Sequence, residues 1–164
     1  MTTEEATAMV PKVVEIQIEP EQAKAYFQKL QALKLSVLDE SDYMEFTDRK
    51  GQKHKFVKKS GWRKLAYPYN ISDEIVKEYK EEVKKLNEQG VEETITVWRI
   101  HTKAMAPNGR SAIGIGAASS DEREFSHEEH DLYSLAHTRS KNRAISDLIG
   151  LGEVSAEEMS AKAM

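Results

Sequence analysis

Arg139, Asn142, Arg143 and Ser146 stand at i, i+3, i+4 and i+7, a spacing that puts all four on one stripe if the segment is helical. Two arginines four residues apart repel by about 0.2–0.5 kcal/mol on a bare helix. A phosphate bridging them would reverse that sign, and the planar guanidinium suits phosphate oxygens. Asp147 lies four residues after Arg143, so an ordinary intrahelical pair that leaves Arg139 solvated accounts for the same spacing.

A second group is denser. Residues 49–64 carry Arg49, Lys50, Lys53, Lys55, Lys58, Lys59, Arg63 and Lys64 and no acid, a charge of +8. The segments before and after it each carry −6, so the net −4 of the 164-residue chain conceals a local positive field. Phe56, Trp62, Tyr67 and Tyr69 lie within or beside the run. Lysines that track a sugar–phosphate backbone, with aromatic faces on which bases stack, are what a single strand needs. Trp62 and Phe56 read as core residues, whereas Tyr67 and Tyr69 flank Pro68 in a loop and are the stacking candidates.

Other constellations carry less. His127-Glu-Glu-His130 has i, i+3 spacing rather than the His-Glu-x-x-His of a zinc protease helix. Gly114-Ile-Gly116 echoes a dinucleotide loop but lacks the third glycine and the later acidic partner, so a close backbone approach explains it better. No P-loop, Ser/His/Asp signature or paired-carboxylate arrangement is present. With no cysteine, the chain has no disulfide, thiol nucleophile or cysteine-held zinc. The expectation is a non-enzymatic protein without cofactor or metal. An acidic start and the lack of any run near 20 apolar residues predict a cytoplasmic protein with no membrane partner, nucleoid-associated where DNA is its ligand.

The elements that would position these groups follow from periodicity. Residues 1–11 read as disordered, residues 12–152 as one domain and residues 153–164 as a frayed tail. Val14, Ile16 and Ile18 alternate as in a strand; Pro20 then opens an amphipathic helix to about Lys34. Residues 42–47 and 53–57 form a hairpin around Gly51, and residues 60–66 a short helix that Pro68 ends. Residues 73–89 fit a helix face or an edge strand rich in Glu and Lys. Residues 94–102 and 110–118 are strands joined by a turn at Pro107-Asn-Gly109, and Ser126-His-Glu-Glu129 is a capping box for a helix that stops at Gly150. The fold class is α+β: an antiparallel sheet packed against a long C-terminal helix.

From about Ser60 to Gly152 this order resembles the single-strand annealing proteins of the Rad-fifty-two type, with the phage Erf and RecT annealing proteins as more distant relatives. The resemblance rests on the strand–strand–strand–helix order, on Gly114-Ile-Gly116 in the third strand, and on the basic helix from His137 to Ile149 that stops at Gly150. It implies that residues 73–83 are a strand. It also implies that Arg139 and Arg143 line a DNA groove; Lys141 and Asn142 stand where that family carries apolar and small residues and are candidate contacts beside them. The function implied is binding and annealing of single-stranded DNA, or of RNA, in recombination and repair. The working form would be a homo-oligomeric ring or helix, with recombination proteins as partners. Two other readings stay open: a regulatory subunit whose basic patch docks a protein partner, and a metal-dependent nuclease built on His127, Glu129 and His130.

Overall fold

The computed structural model describes residues 15–153 and 155–159. Its centre is a three-stranded antiparallel sheet in the order β3-β4-β5, with β3 Ser72–Leu86, β4 Glu92–Met105 and β5 Ser111–Ser119. Gly90 and Gly109 take positive φ in the two connecting turns. Residues 73–89 are thus strand and turn, not helix. Their ambiguity has a physical source. Tyr79 and Val83 are four apart, a spacing that shares a face in either geometry, and both point away from the C-terminal helix. A register shift between Ile75 and Lys77 then moves Ile75 to the opposite face and breaks the simple alternation.

The helix α3, Glu128–Ile149, lies across β4 and β5 at very short range. A Cβ at Gly114 would stand 2.1 Å from the Ser140 carbonyl oxygen and 2.4 Å from the Ala144 nitrogen. One at Gly116 would stand 2.2 Å from the Ala136 carbonyl oxygen and 2.4 Å from the Ser140 nitrogen. Ala136, Ser140 and Ala144 repeat at i, i+4, i+8, so the helix offers a seam of small residues to the two glycines. The buried hydroxyls of Thr102 and Ser140 meet at 2.6 Å and fix the helix against β4. Ile100, Ala118, Leu132 and Ala136 fill the core at one end, flanked by Trp98 and Tyr133 edge to face.

The N-terminal half caps the other end of α3. Helix α1, Pro20–Val37, buries Leu30, and the Tyr26 hydroxyl donates to the Ile149 carbonyl at 2.6 Å, where the last helical carbonyls lack internal partners. The hairpin of β1 Tyr43–Thr47 and β2 Lys53–Val57 leads into α2, Lys59–Ala66, whose Trp62 and Leu65 are fully buried against α3 residues Ala144, Ile145 and Leu148. Trp62 also donates its indole N–H to the Val57 carbonyl at 3.1 Å. A 3-10 turn, Tyr67–Tyr69, and a left-handed Asn70 connect α2 to the sheet.

Four expectations need correction. Residues 15–19 are not a strand, and Ile16 and Ile18 are exposed; the rest of the proposed strand, residues 12–14, and the segment 1–11 read as disordered lie outside the described residues. Alternation alone does not make a strand where no neighbour offers a ladder. Ser126 does not cap α3. The helix opens at Glu128, and Asp131 accepts the His127 amide at 3.1 Å instead. Tyr67 keeps helical angles (φ −59°, ψ −49°) despite the following Pro68, so the chain tightens into the 3-10 turn rather than extending. The described part of the tail does not fray: Ser155 and Ala156 are buried, and a short 3-10 turn, Ala156–Glu158, packs back on α3.

One buried charge ties the N-terminal half together. Asp42 is 1 % exposed and accepts from Lys64 Nζ at 2.6 Å, the Asp39 amide at 3.0 Å and the Ser60 hydroxyl at 2.7 Å. Burial pushes its carboxyl up, but those three donors outweigh burial and hold it below its usual 3.8. A depressed carboxyl stabilises the fold above its unfolded value and loses that contribution as pH falls through the folded one. Stability should therefore drop as pH falls through and below the ordinary carboxylate range, and Asp42→Asn should flatten that drop, as followed by urea melts at successive pH values. Lys64→Ala should cost on the order of 1–3 kcal/mol by leaving the carboxylate short of a donor. Gly116→Ala should cost about 3 kcal/mol or more in the same melts, because the obstructing atoms are helix backbone and cannot swing aside.

Candidate nucleic-acid interface

The two cationic groups of the sequence do not form one groove. Successive residues of a helix are about 100° apart, so residues two positions apart face nearly opposite ways. Arg139 and Arg143 point to the β5 flank of α3, and Lys141 points to the β3 flank.

On the β5 flank the arginines have a structural task. Arg139 Nη1 donates to the Ala117 carbonyl at 2.7 Å, and Arg143 Nη1 to the Ile115 carbonyl at 2.8 Å. Four helical residues rise about 6 Å and two strand residues about 6.8 Å, so an i, i+4 pair matches alternate carbonyls of an edge strand. Arg139 is 7 % exposed and grips both oxygens of Glu122, at 2.9 and 2.7 Å. Its Nε donates to the Glu157 carbonyl. Arg143 is exposed and pairs with Glu158. Asp147, its partner in the intrahelical alternative, is exposed and makes no ion pair among the described residues. Asn142 is buried and donates to Glu157 Oε2 at 3.0 Å. Ser146 is buried too, bonded to Glu153 through its amide and carbonyl. The expectation that Arg139 and Asn142 stand open in a groove is therefore corrected: both are enclosed and satisfied by local groups. Arg99, Arg139 and Arg143 do line a cleft of about 240 Å³ against β5, closed on one side by Glu158.

The basic run is divided as well. Lys55 pairs with Glu40 at 2.8 Å and Glu45 at 3.7 Å, and Lys64 with Asp39 at 3.0 Å and Asp42 at 2.6 Å. Lys58 Nζ donates to the Ser41 carbonyl at 2.8 Å. Acids just upstream of the run thus neutralise part of it across the hairpin, where Glu45 faces Lys55 in register. Lys53 is exposed on β2, and Arg49 and Lys50 sit at the exposed hairpin turn, away from α2.

What remains open lies along α2. Lys59, Arg63 and Tyr67 recur at i, i+4, i+8, and all three are exposed. Neither Lys59 nor Arg63 makes an ion pair among the described residues. Arg63 and Tyr67 line a cleft of about 140 Å³ together with Ala66, Ile71, Asp73, Ile145 and Lys141 of α3. Tyr67 is 87 % exposed, a free ring at the mouth. Lys141 is held at 2.7 Å by Asp73 on β3. His137, one turn earlier on the same flank, is pushed toward its neutral form by burial and then by the charges of Lys141 and Lys59. Tyr69 is no stacking platform. It packs on the core beside Ala66 and Ile71, and burial, then the bond with Tyr26, pushes its hydroxyl up to about 12.

The arrangement binds anions beside an aromatic face. It offers no assembled acid–base pair. Among the described residues no three His, Asp or Glu side chains converge for a metal, and His130 is exposed and pairs only with Asp131, at 3.5 Å. Among them, too, no helix is long and apolar enough to cross a membrane. No protein-family model matches the chain, and no curated protein matches it.

Proposed function

We propose that this protein binds single-stranded nucleic acid, DNA foremost, and brings complementary strands together without making or breaking a covalent bond. The observation that carries the reading is the α2–α3 cleft, where Arg63 and Tyr67 from one segment meet Lys141 from another. Lys59 extends the line by one helical turn. Cations spaced along a groove hold phosphates, and an exposed ring at its mouth stacks a base of any identity. Binding through phosphates leaves base edges free to pair.

One chain offers three such cations, too few for tight binding, so self-association is part of the proposal. The face of the sheet opposite α3 favours it. Tyr79 and Val83 of β3 and Ile113 and Ile115 of β5 lie on that face, all exposed, with Arg99 and His101 between them. Exposed apolar side chains grouped among charged ones, Glu81 and Lys103 included, suit an interaction surface.

Anisotropy with labelled single- and double-stranded oligonucleotides tests the reading. Single strands should bind more tightly, and the slope of log K against log salt should shrink by about 0.7 for each of Arg63→Ala and Lys59→Ala. Tyr67→Ala should weaken binding by about 1–3 kcal/mol. Asp73→Asn, which frees Lys141, should strengthen it. Equal binding by wild type and the Arg63→Ala/Lys141→Ala double variant at low salt would sink the cleft as the site.

A further inference from the structure

The β5-flank cleft is closed by the chain's own acids. We propose that the C-terminal turn Ser155–Met159 is an autoinhibitory plug: Glu157 and Glu158 occupy positions that backbone phosphates would take, and a bound strand displaces them. This rests on the nucleic-acid reading above and adds a regulation to it.

Three observations support it. The first is chemical match. Consecutive carboxylates engage the donors that would bind a polyanion: Glu158 on the Arg143 guanidinium, Glu157 Oε2 on Asn142 at 3.0 Å and Glu157 Oε1 on the Lys59 amide at 2.6 Å. The second is charge balance. Arg139 is neutralised by Glu122 and Arg99 by Glu81, at 2.7 and 2.6 Å, independently of the turn. Arg143 has no such permanent partner among the described residues, so lifting the turn leaves its charge uncompensated, beside a Lys59 ammonium that is already unpaired among them. The third is contiguity. The Lys59 amide holds Glu157, while the same residue begins the exposed line Lys59–Arg63–Tyr67. The plug therefore sits at the Lys59 end of that line, between it and Arg143, and its removal would extend the line to Arg143.

The plug is also built to come off. It is one turn of 3-10 helix, with backbone bonds of 3.1 and 3.2 Å from Glu158 and Met159 to Ser155 and Ala156. Upstream, Glu153 is anchored by Lys34 at 2.6 Å, so the turn would swing from a fixed point. Its buried residues, Ser155 and Ala156, are small, so lifting the turn exposes little apolar area.

The test uses the full chain and a labelled oligothymidylate. Glu157→Gln with Glu158→Gln keeps side-chain shape and removes both charges. The variant should bind on the order of tenfold more tightly at low salt. Adding Arg143→Ala should cancel that gain, whereas Arg143→Ala alone should change little, because the plug already covers it. Hydrogen exchange gives an independent readout: the Glu158 and Met159 amides should lose protection when the strand binds. If wild type binds and the double variant binds no better, or if those amides stay protected in the complex, the plug is refuted while the cleft stands. If neither protein binds any oligonucleotide, both readings fall together.

Discussion

Everything around the candidate interface depends on the contact of α3 with β5 at Gly114 and Gly116. With backbone this close, the helix has no freedom to slide or roll without collision. That fixed placement decides where each polar residue of α3 goes. It sets Arg139 and Arg143 opposite the carbonyls of Ala117 and Ile115, and it turns Lys141 toward Asp73 and the end of α2. A helix held a few ångströms further out by ordinary side chains would reach neither. Two missing methyl groups in the strand therefore govern the charge distribution on both flanks of the helix.

Much of the architecture was legible in the sequence. The hairpin around Gly51, the strands flanking Pro107-Asn-Gly109, the end of α3 at Gly150 and the α+β class all follow from turn chemistry and periodicity. Gly114 and Gly116 could be read as a close approach, although the identity of the approaching element could not. The stripe Arg139–Asn142–Arg143–Ser146 was visible as a stripe. Its direction was not, because helical periodicity defines a shared face without saying what that face meets. The basic run misled for a related reason. Counting charge from Arg49 onward omits Asp39, Glu40, Asp42 and Glu45, which the hairpin folds directly onto the lysines.

The tail shows the same limit from the other side. Small residues and glutamates near a terminus look like solvated chain, and nothing local says otherwise. Only the tertiary position of Arg139, Asn142 and Arg143 gives Glu157 and Glu158 a destination. The open line Lys59–Arg63–Tyr67 carries a sequence signal of its own, i, i+4, i+8 spacing across a short helix and the turn after it.

The capping of β5 carbonyls by arginine also constrains how copies of this chain can assemble. With Ile115 and Ala117 already engaged, that margin of the sheet cannot take up a foreign strand. Within this sheet, among the described residues, only the β3 margin is left for ladder extension, and β3 against β3 is a two-fold arrangement that ends at a dimer. A closed circle or an endless spiral needs two unlike surfaces on every copy. Pairing this sheet with its own copies therefore cannot build such an assembly, which must use other surfaces, the broad faces or the β1–β2 hairpin.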